Sequence, residues 1–103
     1  MADFIYVYHG GKRPDTPEEG VKVMAAWQAW MGGMGDKLKN PGNPVGMSKT
    51  VHGGGVDDNG GANPVSGFTI VSADSMDDAV DMAKSCPIMD DGGSVEVAEM
   101  FEM

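Results

Sequence analysis

The stretch Phe4-Ile5-Tyr6-Val7-Tyr8-His9, which Gly10-Gly11 follows, decides the fold. Its residues are mostly aromatic or β-branched, the types that pleated strands favour, so it predicts the first strand of a sheet. Side chains alternate along a strand, which places every second residue from Phe4 on one face and every second residue from Ile5 on the other. Both faces carry bulky groups, and we therefore expect both to be covered.

The segment after this strand predicts a helix. Thr16-Pro17-Glu18-Glu19 combines a capping threonine, a proline suited to the first turn and a glutamate three residues after the cap. Apolar residues then recur at steps of three and four, which predicts a stripe buried against the sheet. The members of this stripe are Met24, Trp27, Met31, Met34 and Leu38.

The rest of the chain predicts three strands and a second helix. Residues 47–52 are interpreted as the second strand and residues 67–73 as the third. The polar, glycine-rich segment 53–64 joins them, and we expect it to be mobile. Ser75-Met76-Asp77-Asp78 begins the second helix, and a last strand runs from Ser94 to about residue 103.

This order, β-α-β-β-α-β, predicts one α+β domain over residues 1–103 with a ferredoxin-like, four-stranded antiparallel sheet. Both helices cover the same face of such a sheet. The third strand nevertheless carries Phe68 and Ile70 on one side and Val71 on the other. We therefore expect a second copy of the chain to cover the open face, giving a homodimer.

Composition excludes several classes of function. The formal net charge is −9 over 103 residues, which disfavours binding to nucleic acid or to an anionic membrane surface. Cys86 stands alone, so no intrachain disulfide is possible, and a reducing cytoplasm is the expected location. Gly53-Gly54-Gly55 lacks the lysine and serine of a phosphate-binding loop, and we expect no cofactor.

A series of short segments occurs in an order typical of one family: Ala26-Trp27-Gln28-Ala29-Trp30, Gly35-Asp36-Lys37-Leu38, Gly42-Asn43-Pro44, Ser48-Lys49-Thr50-Val51, Ser72-Ala73-Asp74-Ser75, Ala83-Lys84-Ser85-Cys86-Pro87 and Gly93-Ser94-Val95-Glu96-Val97. Through them, nearly the whole chain resembles the YCII-related proteins, in the branch grouped with DGPF-domain proteins. The resemblance implies a dimeric α+β barrel.

The same resemblance implies a His–Asp pair that serves a catalytic site. In this chain Met24 stands near the histidine position and Cys86 stands at the aspartate position, and the Asp-Gly-Pro-Phe signature is absent. Catalysis by that pair is therefore not inherited. Relatives of similar barrel fold isomerise, dehalogenate or oxidise small aromatic and lactone compounds, which is an analogy at the level of the fold.

His9 and His52 are the candidate catalytic residues. Each ends a predicted strand, at the same edge of the sheet, and one intervening strand would separate their backbones by about 10 Å. A neutral imidazole acts as a general base near neutral pH, and a carboxylate at Glu96 would orient His9. The alternative is that they are two unrelated loop histidines. Together with Asp57 or Asp58 they lack the spacing of a metal site, and we expect no bound metal.

Candidate ligand-binding residues are Tyr8, Trp30, Lys49 and Glu96. The rings of Tyr8 and Trp30 would wall a pocket for a flat ligand, although an aromatic stripe on a helix is also typical of a core. Lys49 would orient an anion, or else protect an edge strand from pairing with another chain.

Two functions agree with these residues. One is a small-molecule isomerase or lyase acting on an aromatic or lactone compound, without the family His–Asp pair. The other is a non-catalytic ligand-binding or regulatory accessory module. A closed cavity lined by His9 or His52 and several rings would favour the enzyme.

Overall fold

A computed structural model describes residues 2–11, 14–58, 61 and 63–102 of the chain. Its elements, in chain order, are strand β1 (Ala2–His9), helix α1 (Pro17–Met34), strands β2 (Leu38–Asn40), β3 (Thr50–His52), β4 (Gly55–Asp57) and β5 (Val65–Ala73), helix α2 (Met76–Ala83) and strand β6 (Ser94–Glu99). A short 3₁₀ turn follows each helix, at Gly35–Lys37 and at Pro87–Asp91.

Four of the strands form one antiparallel sheet in the order β2-β5-β1-β6. Strand β1 is central, and its Tyr6 lies opposite Thr69 of β5 and Val97 of β6. This topology and the two helices confirm the predicted ferredoxin-like layout.

The aromatic face of β1 builds the core. Phe4, Tyr6 and Tyr8 are buried, and the hydroxyl of Tyr6 donates a hydrogen bond to the carbonyl oxygen of Ala79 in α2. The ring of Trp30 stacks on Tyr6 with 6.0 Å between ring centroids. These contacts attach both helices to one face of the sheet.

Side chains cap both helices as predicted. The hydroxyl of Thr16 accepts a hydrogen bond from the backbone N–H of Glu19 at 3.1 Å, and the hydroxyl of Ser75 accepts one from the N–H of Asp78 at 3.2 Å. The carboxylate of Glu19 accepts from the N–H of Asp15, one residue before the cap, instead of the cap residue itself. Each cap satisfies backbone groups that would otherwise lack a partner at a helix start.

The prediction that residues 47–52 form the second strand of this sheet is wrong. The edge strand is β2, in which Leu38 and Asn40 pair with β5, so Leu38 belongs to the sheet and not to the helical stripe. Strand β3, which is the end of that predicted strand, pairs instead with β4 in a separate two-stranded sheet, and β4 lies inside the predicted loop 53–64. Gly53-Gly54 allows a tight turn, so the chain pairs locally.

One member of the predicted stripe, Met24, lies on the outer side of α1, whereas Trp27, Met31 and Met34 are half-buried or buried. Met24 is 60% exposed, whereas Val23, one residue earlier, is half-buried. The reason is that Trp27 and Trp30 set the orientation of the helix, through ring contacts with Tyr8 and Tyr6 respectively. The last strand ends at Glu99, and Met103 lies outside the described residues.

The molecule is flat, with principal extents of 42 × 42 × 18 Å. The helices cover one face of the sheet, while Ile5, Val7, Phe68 and Ile70 point to the opposite face and are half-buried. We call this second surface the open face. No helix within the described ranges has the length and apolar character needed to cross a membrane.

Candidate functional site

His9 lies on the open face, and both nitrogens of its ring have a hydrogen-bond partner. The β1–β6 register places Val7 opposite Glu96 and His9 opposite Ser94, so His9 and Glu96 are diagonal neighbours on one face. Nε2 of His9 lies 2.9 Å from Oε1 of Glu96, and Nδ1 lies 3.3 Å from the carbonyl oxygen of Pro64. The histidine is only 9% exposed, so its imidazole is nearly buried, and the two contacts fix the orientation of the ring.

Both partners of the His9 ring are hydrogen-bond acceptors. A neutral imidazole donates from one nitrogen only, whereas an imidazolium donates from both and satisfies the carbonyl and the carboxylate together. A proton shared between Nε2 of His9 and Oε1 of Glu96 satisfies both groups. The pair thus places a proton donor and a proton acceptor side by side, and the side chain of Glu96 is largely exposed to solvent.

His52 lies away from this pair, in the separate hairpin. Its Nδ1 accepts a hydrogen bond from the N–H of Gly54 at 3.1 Å, and its Nε2 lies 3.6 Å from Oδ2 of Asp57. Because β3 is not part of the main sheet, His52 does not end a strand beside His9. The contacts described for the two histidines are all with other residues, so the structure does not bring them together.

The predicted ligand-binding residues fall in three different places. Glu96 joins His9 on the open face, while Tyr8 and Trp30 lie on the helical face of the sheet. The hydroxyl of Tyr8 donates to that of Thr69 at 2.7 Å, which fixes its ring in the core. Lys49 precedes the hairpin, with Nζ 3.7 Å from a carboxylate oxygen of Asp58. Their roles in binding stay predictions.

An open cleft of about 710 Å³ lies between α1, α2 and the second 3₁₀ turn. Trp30, Met34 and Met82 form part of its apolar lining, and Lys37 and Asp90 contribute charge. Its volume is in the range of small-molecule sites. Of these lining residues, only Trp30 was predicted from the sequence to bind a ligand.

Regularly spaced small residues on α1 are the feature of the sequence that could have indicated this cleft. Ala26, Ala29 and Gly33 recur at steps of three and four and line the cleft. Small side chains at that spacing leave a groove beside a helix, because they do not fill the space that Leu or Met would occupy.

The two positions that the family resemblance points to are unlike each other. Met24 is exposed on α1, whereas Cys86 is a buried free thiol at the start of the second 3₁₀ turn. Burial raises the pKa of Cys86 to about 11, which keeps the thiol protonated and unreactive at neutral pH. Cys86 is therefore a core residue.

The described residues provide a polar pair on the open face and an apolar cleft beside Trp30. Among the described residues, no group of three or more His, Cys, Asp or Glu side chains is arranged to hold a metal ion. Burial raises the pKa of Tyr6 to about 12, so this phenol is also neutral near pH 7. Of the two histidine–carboxylate pairs among the described residues, His9–Glu96 has the shorter N···O distance, 2.9 Å against 3.6 Å for His52–Asp57.

Comparison with known proteins supports the fold. No family model and no curated protein matches the chain. A solved structure that is similar is that of 5-chloro-2-hydroxyhydroquinone dehydrochlorinase (TftG) from Burkholderia phenoliruptrix AC1100, in complex with 2,5-dihydroxybenzoquinone. The TM-score is 0.56 at 20% sequence identity, over 96% of this chain and 95% of the other. At this level of identity the likeness shows a shared fold.

Proposed function

We propose that this chain is a YCII-like enzyme of the isomerase or lyase type, acting on a small aromatic or lactone compound with His9 and Glu96 as its acid–base pair. The observation that carries the proposal is the 2.9 Å contact between Nε2 of His9 and Oε1 of Glu96 on the open face. Reactions of this class move a proton from one substrate atom to another, and they need one group that accepts and one that donates.

In the proposed reaction Glu96 accepts a proton from substrate carbon, while His9 donates a proton to the substrate oxygen on which negative charge develops. Pro64 holds Nδ1 of His9, so the ring keeps its orientation while Nε2 exchanges its partner. The exposure of Glu96 allows its carboxylate to swing towards a bound molecule. A closed surface would strengthen both steps by excluding water.

The closed surface comes, in this proposal, from a second copy of the chain. The half-buried side chains of Ile5, Val7, Phe68 and Ile70 form an apolar surface around the pair. A homodimer that packs these faces together, as the resemblance to dimeric α+β barrels implies, would enclose the site. The whole chain, residues 1–103, then acts as one YCII-like domain in the cytoplasm, where its single thiol stays reduced.

The substrate class rests on the shared fold. TftG is a dehydrochlorinase of a hydroxylated aromatic compound, and its structure holds a dihydroxybenzoquinone. A flat ring with hydroxyl or keto oxygens suits an apolar sheet face with one acid–base pair. For this chain we propose the same chemical class and leave the individual compound open.

A thermal-shift screen of hydroxylated quinones, aromatic acids and lactones tests the proposal. A ligand at one hundred times its dissociation constant stabilises the fold by about 2.7 kcal/mol. Compounds that bind are then assayed for proton exchange and isomerisation.

His9→Ala and Glu96→Gln should each reduce turnover by about 10²-fold or more, with little change in the unfolding midpoint. His52→Ala is the matched control and should stay fully active. An active His9→Ala protein would contradict the proposal.

A second candidate function, a non-catalytic ligand-binding or accessory module, is favoured by the cleft beside Trp30. The cleft is large enough for a ligand and its lining contains no histidine or cysteine. A ligand that stabilises the wild type and His9→Ala equally, but not Trp30→Ala, and that is recovered unchanged would identify this function instead.

A further inference from the structure

Two pairs of glycines meet next to the backbone of His9. Gly10-Gly11 follows β1, and Gly92-Gly93 precedes β6. Because these two strands pair antiparallel, the end of one lies beside the start of the other. A methyl group built on Gly10 would lie only 3.5 Å from Cα of Gly93, so the two backbones approach closely. We call these four residues the glycine junction.

Within the glycine junction, Gly93 has no room for a side chain. A methyl group on it would lie 2.5 Å from Cγ1 of Ile88, 2.8 Å from the carbonyl oxygen of His9 and 2.9 Å from the backbone nitrogen of Gly11. Ordinary contacts of a Cβ atom are 3.4–4 Å, and two of these three atoms belong to the backbone. Gly93 does not have a positive φ. Close approach, and not backbone conformation, is therefore what requires glycine at this position.

The second 3₁₀ turn fixes Gly93 from the other side. The N–H of Gly93 donates a hydrogen bond to the carbonyl oxygen of Ile88 at 2.9 Å. Gly92, with a φ of +78°, ends this turn in the left-handed conformation. The side chain of Ile88 is 6% exposed and belongs to the core. Gly93 therefore cannot move away from β1 without displacing a core residue.

The backbone of His9 is aligned by β6 more regularly than by β5. The β1–β6 register runs without a shift up to the pair of His9 and Ser94. The β1–β5 register shifts between Tyr8 and His9, so the ladder on that side is irregular. On that side the ring of His9 is held instead, with Nδ1 3.3 Å from the carbonyl oxygen of Pro64. Gly93, which directly precedes β6, thus lies where the position of His9 is set.

We propose that Gly93 is a positioning residue for the His9–Glu96 pair, because its missing side chain lets the end of β1 lie close to the start of β6. This inference rests on the proposed function and adds to it the residue that sets the geometry of the acid–base pair. A side chain at Gly93 would displace the carbonyl oxygen of His9 by several tenths of an ångström. Catalytic groups need placement within about 0.5 Å, so the 2.9 Å contact between the two side chains should be lost.

Adjacent glycines provide a matched pair of variants. Gly93→Ala introduces the close contacts with the backbones of His9 and Gly11. Gly92→Ala places its methyl group where no described residue other than its chain neighbours lies within 4 Å. Gly92→Ala is nevertheless strained, because alanine disfavours a φ of +78°. Both variants should lower the unfolding midpoint, and only Gly93→Ala should also displace His9.

NMR of the histidine ring nitrogens in isotopically labelled protein measures the pair without any substrate. The chain has two histidines, so His52 is an internal control in every spectrum. Glu96→Gln provides the reference, since it removes the carboxylate that contacts Nε2 of His9. We expect Gly93→Ala to move the Nε2 signal of His9 in the same direction as Glu96→Gln and by a comparable amount. Gly92→Ala should leave this signal at its wild-type position.

An unchanged Nε2 signal of His9 in Gly93→Ala would overturn the inference. An equal change in Gly92→Ala would also overturn it, because loss of stability alone would then explain the effect. If Gly93→Ala does not fold, the comparison is made in a Gly32→Ala background, which stabilises α1 at a position with open space. Failure to fold there as well would assign Gly93 to the fold itself and would refute a positioning role.

Turnover provides a second measurement once the ligand screen identifies a substrate. Gly93→Ala should reduce turnover about tenfold or more, since a misplaced acid–base pair is inefficient. Gly92→Ala should stay near the wild-type rate, and equal rates in the two variants would count against the inference. An active His9→Ala protein would overturn the proposed function, whereas the ring-nitrogen measurement would still decide whether Gly93 positions His9.

Discussion

The two faces of strand β1 differ in what they bury. One face carries Phe4 and Tyr6, which are 1% and 0% exposed and which the helices cover completely. The other face carries Ile5 and Val7, half-buried, and ends in His9 with its partner Glu96. The large aromatic side chains of β1 thus build the core, whereas smaller apolar side chains and the His9–Glu96 pair lie on the face that the helices leave uncovered.

The largest effect is expected from truncation on the helical face. Phe4→Ala should reduce the free energy of unfolding by about 3–5 kcal/mol, since it removes a fully buried ring and leaves a cavity. Ile5→Ala, the adjacent residue on the open face, should cost about 1 kcal/mol in dilute protein, because part of its side chain is already in water. Urea unfolding measures both, and equal losses would mean that the two faces are equally buried.

The second-largest effect is expected from alkaline pH, which should lower the stability of the core on the helical face. Burial raises the pKa of Cys86 from 9.0 to about 11, so the folded protein favours the neutral thiol. The corresponding stability is fully present below pH 9 and is lost as the pH rises through about 11. Thermal unfolding between these pH values should show a falling midpoint, and Cys86→Ala should show a shallower fall. The same slope in both proteins would exclude Cys86 as its cause.

The smallest effect is expected on the outer side of α1. Met24→Gln should change the free energy of unfolding by less than about 0.5 kcal/mol, because the side chain is largely in solvent. The matched change Met34→Gln, on the one buried methionine of this helix, should cost several times more. If Met24→Gln proves the more damaging, the orientation of α1 described here is wrong.

Much of the fold could be predicted from local chemistry. The alternation of β1 and the caps at Thr16 and Ser75 follow from patterns within a few residues. The pairing that brings Glu96 to His9 follows from the predicted order of the elements, which places the last strand beside the first. The place of the edge strand could not be predicted, because β2 has only three residues and Leu38 also continues the helical period. The β3–β4 hairpin was not predicted for a related reason, since its glycines and aspartates are equally typical of a loop.

The candidate site was predicted in part. His9 and Glu96 meet because strand register places them together, and register follows from sequence once β1 and β6 are paired. The expected convergence of His52 failed with the strand that was to carry it. The cleft beside Trp30 was not predicted because its shape depends on how α1 and α2 pack, which is a tertiary property.

We propose that the open face, and not the helical face, receives the small molecule. Titration with 2,5-dihydroxybenzoquinone, followed by amide chemical-shift changes in the wild type and in His9→Ala, distinguishes the two faces. We expect shifts concentrated on β1 and β6 around Val7, His9 and Glu96, and their loss in the variant. Shifts concentrated around Trp30 and Met82, and unchanged in His9→Ala, would contradict it.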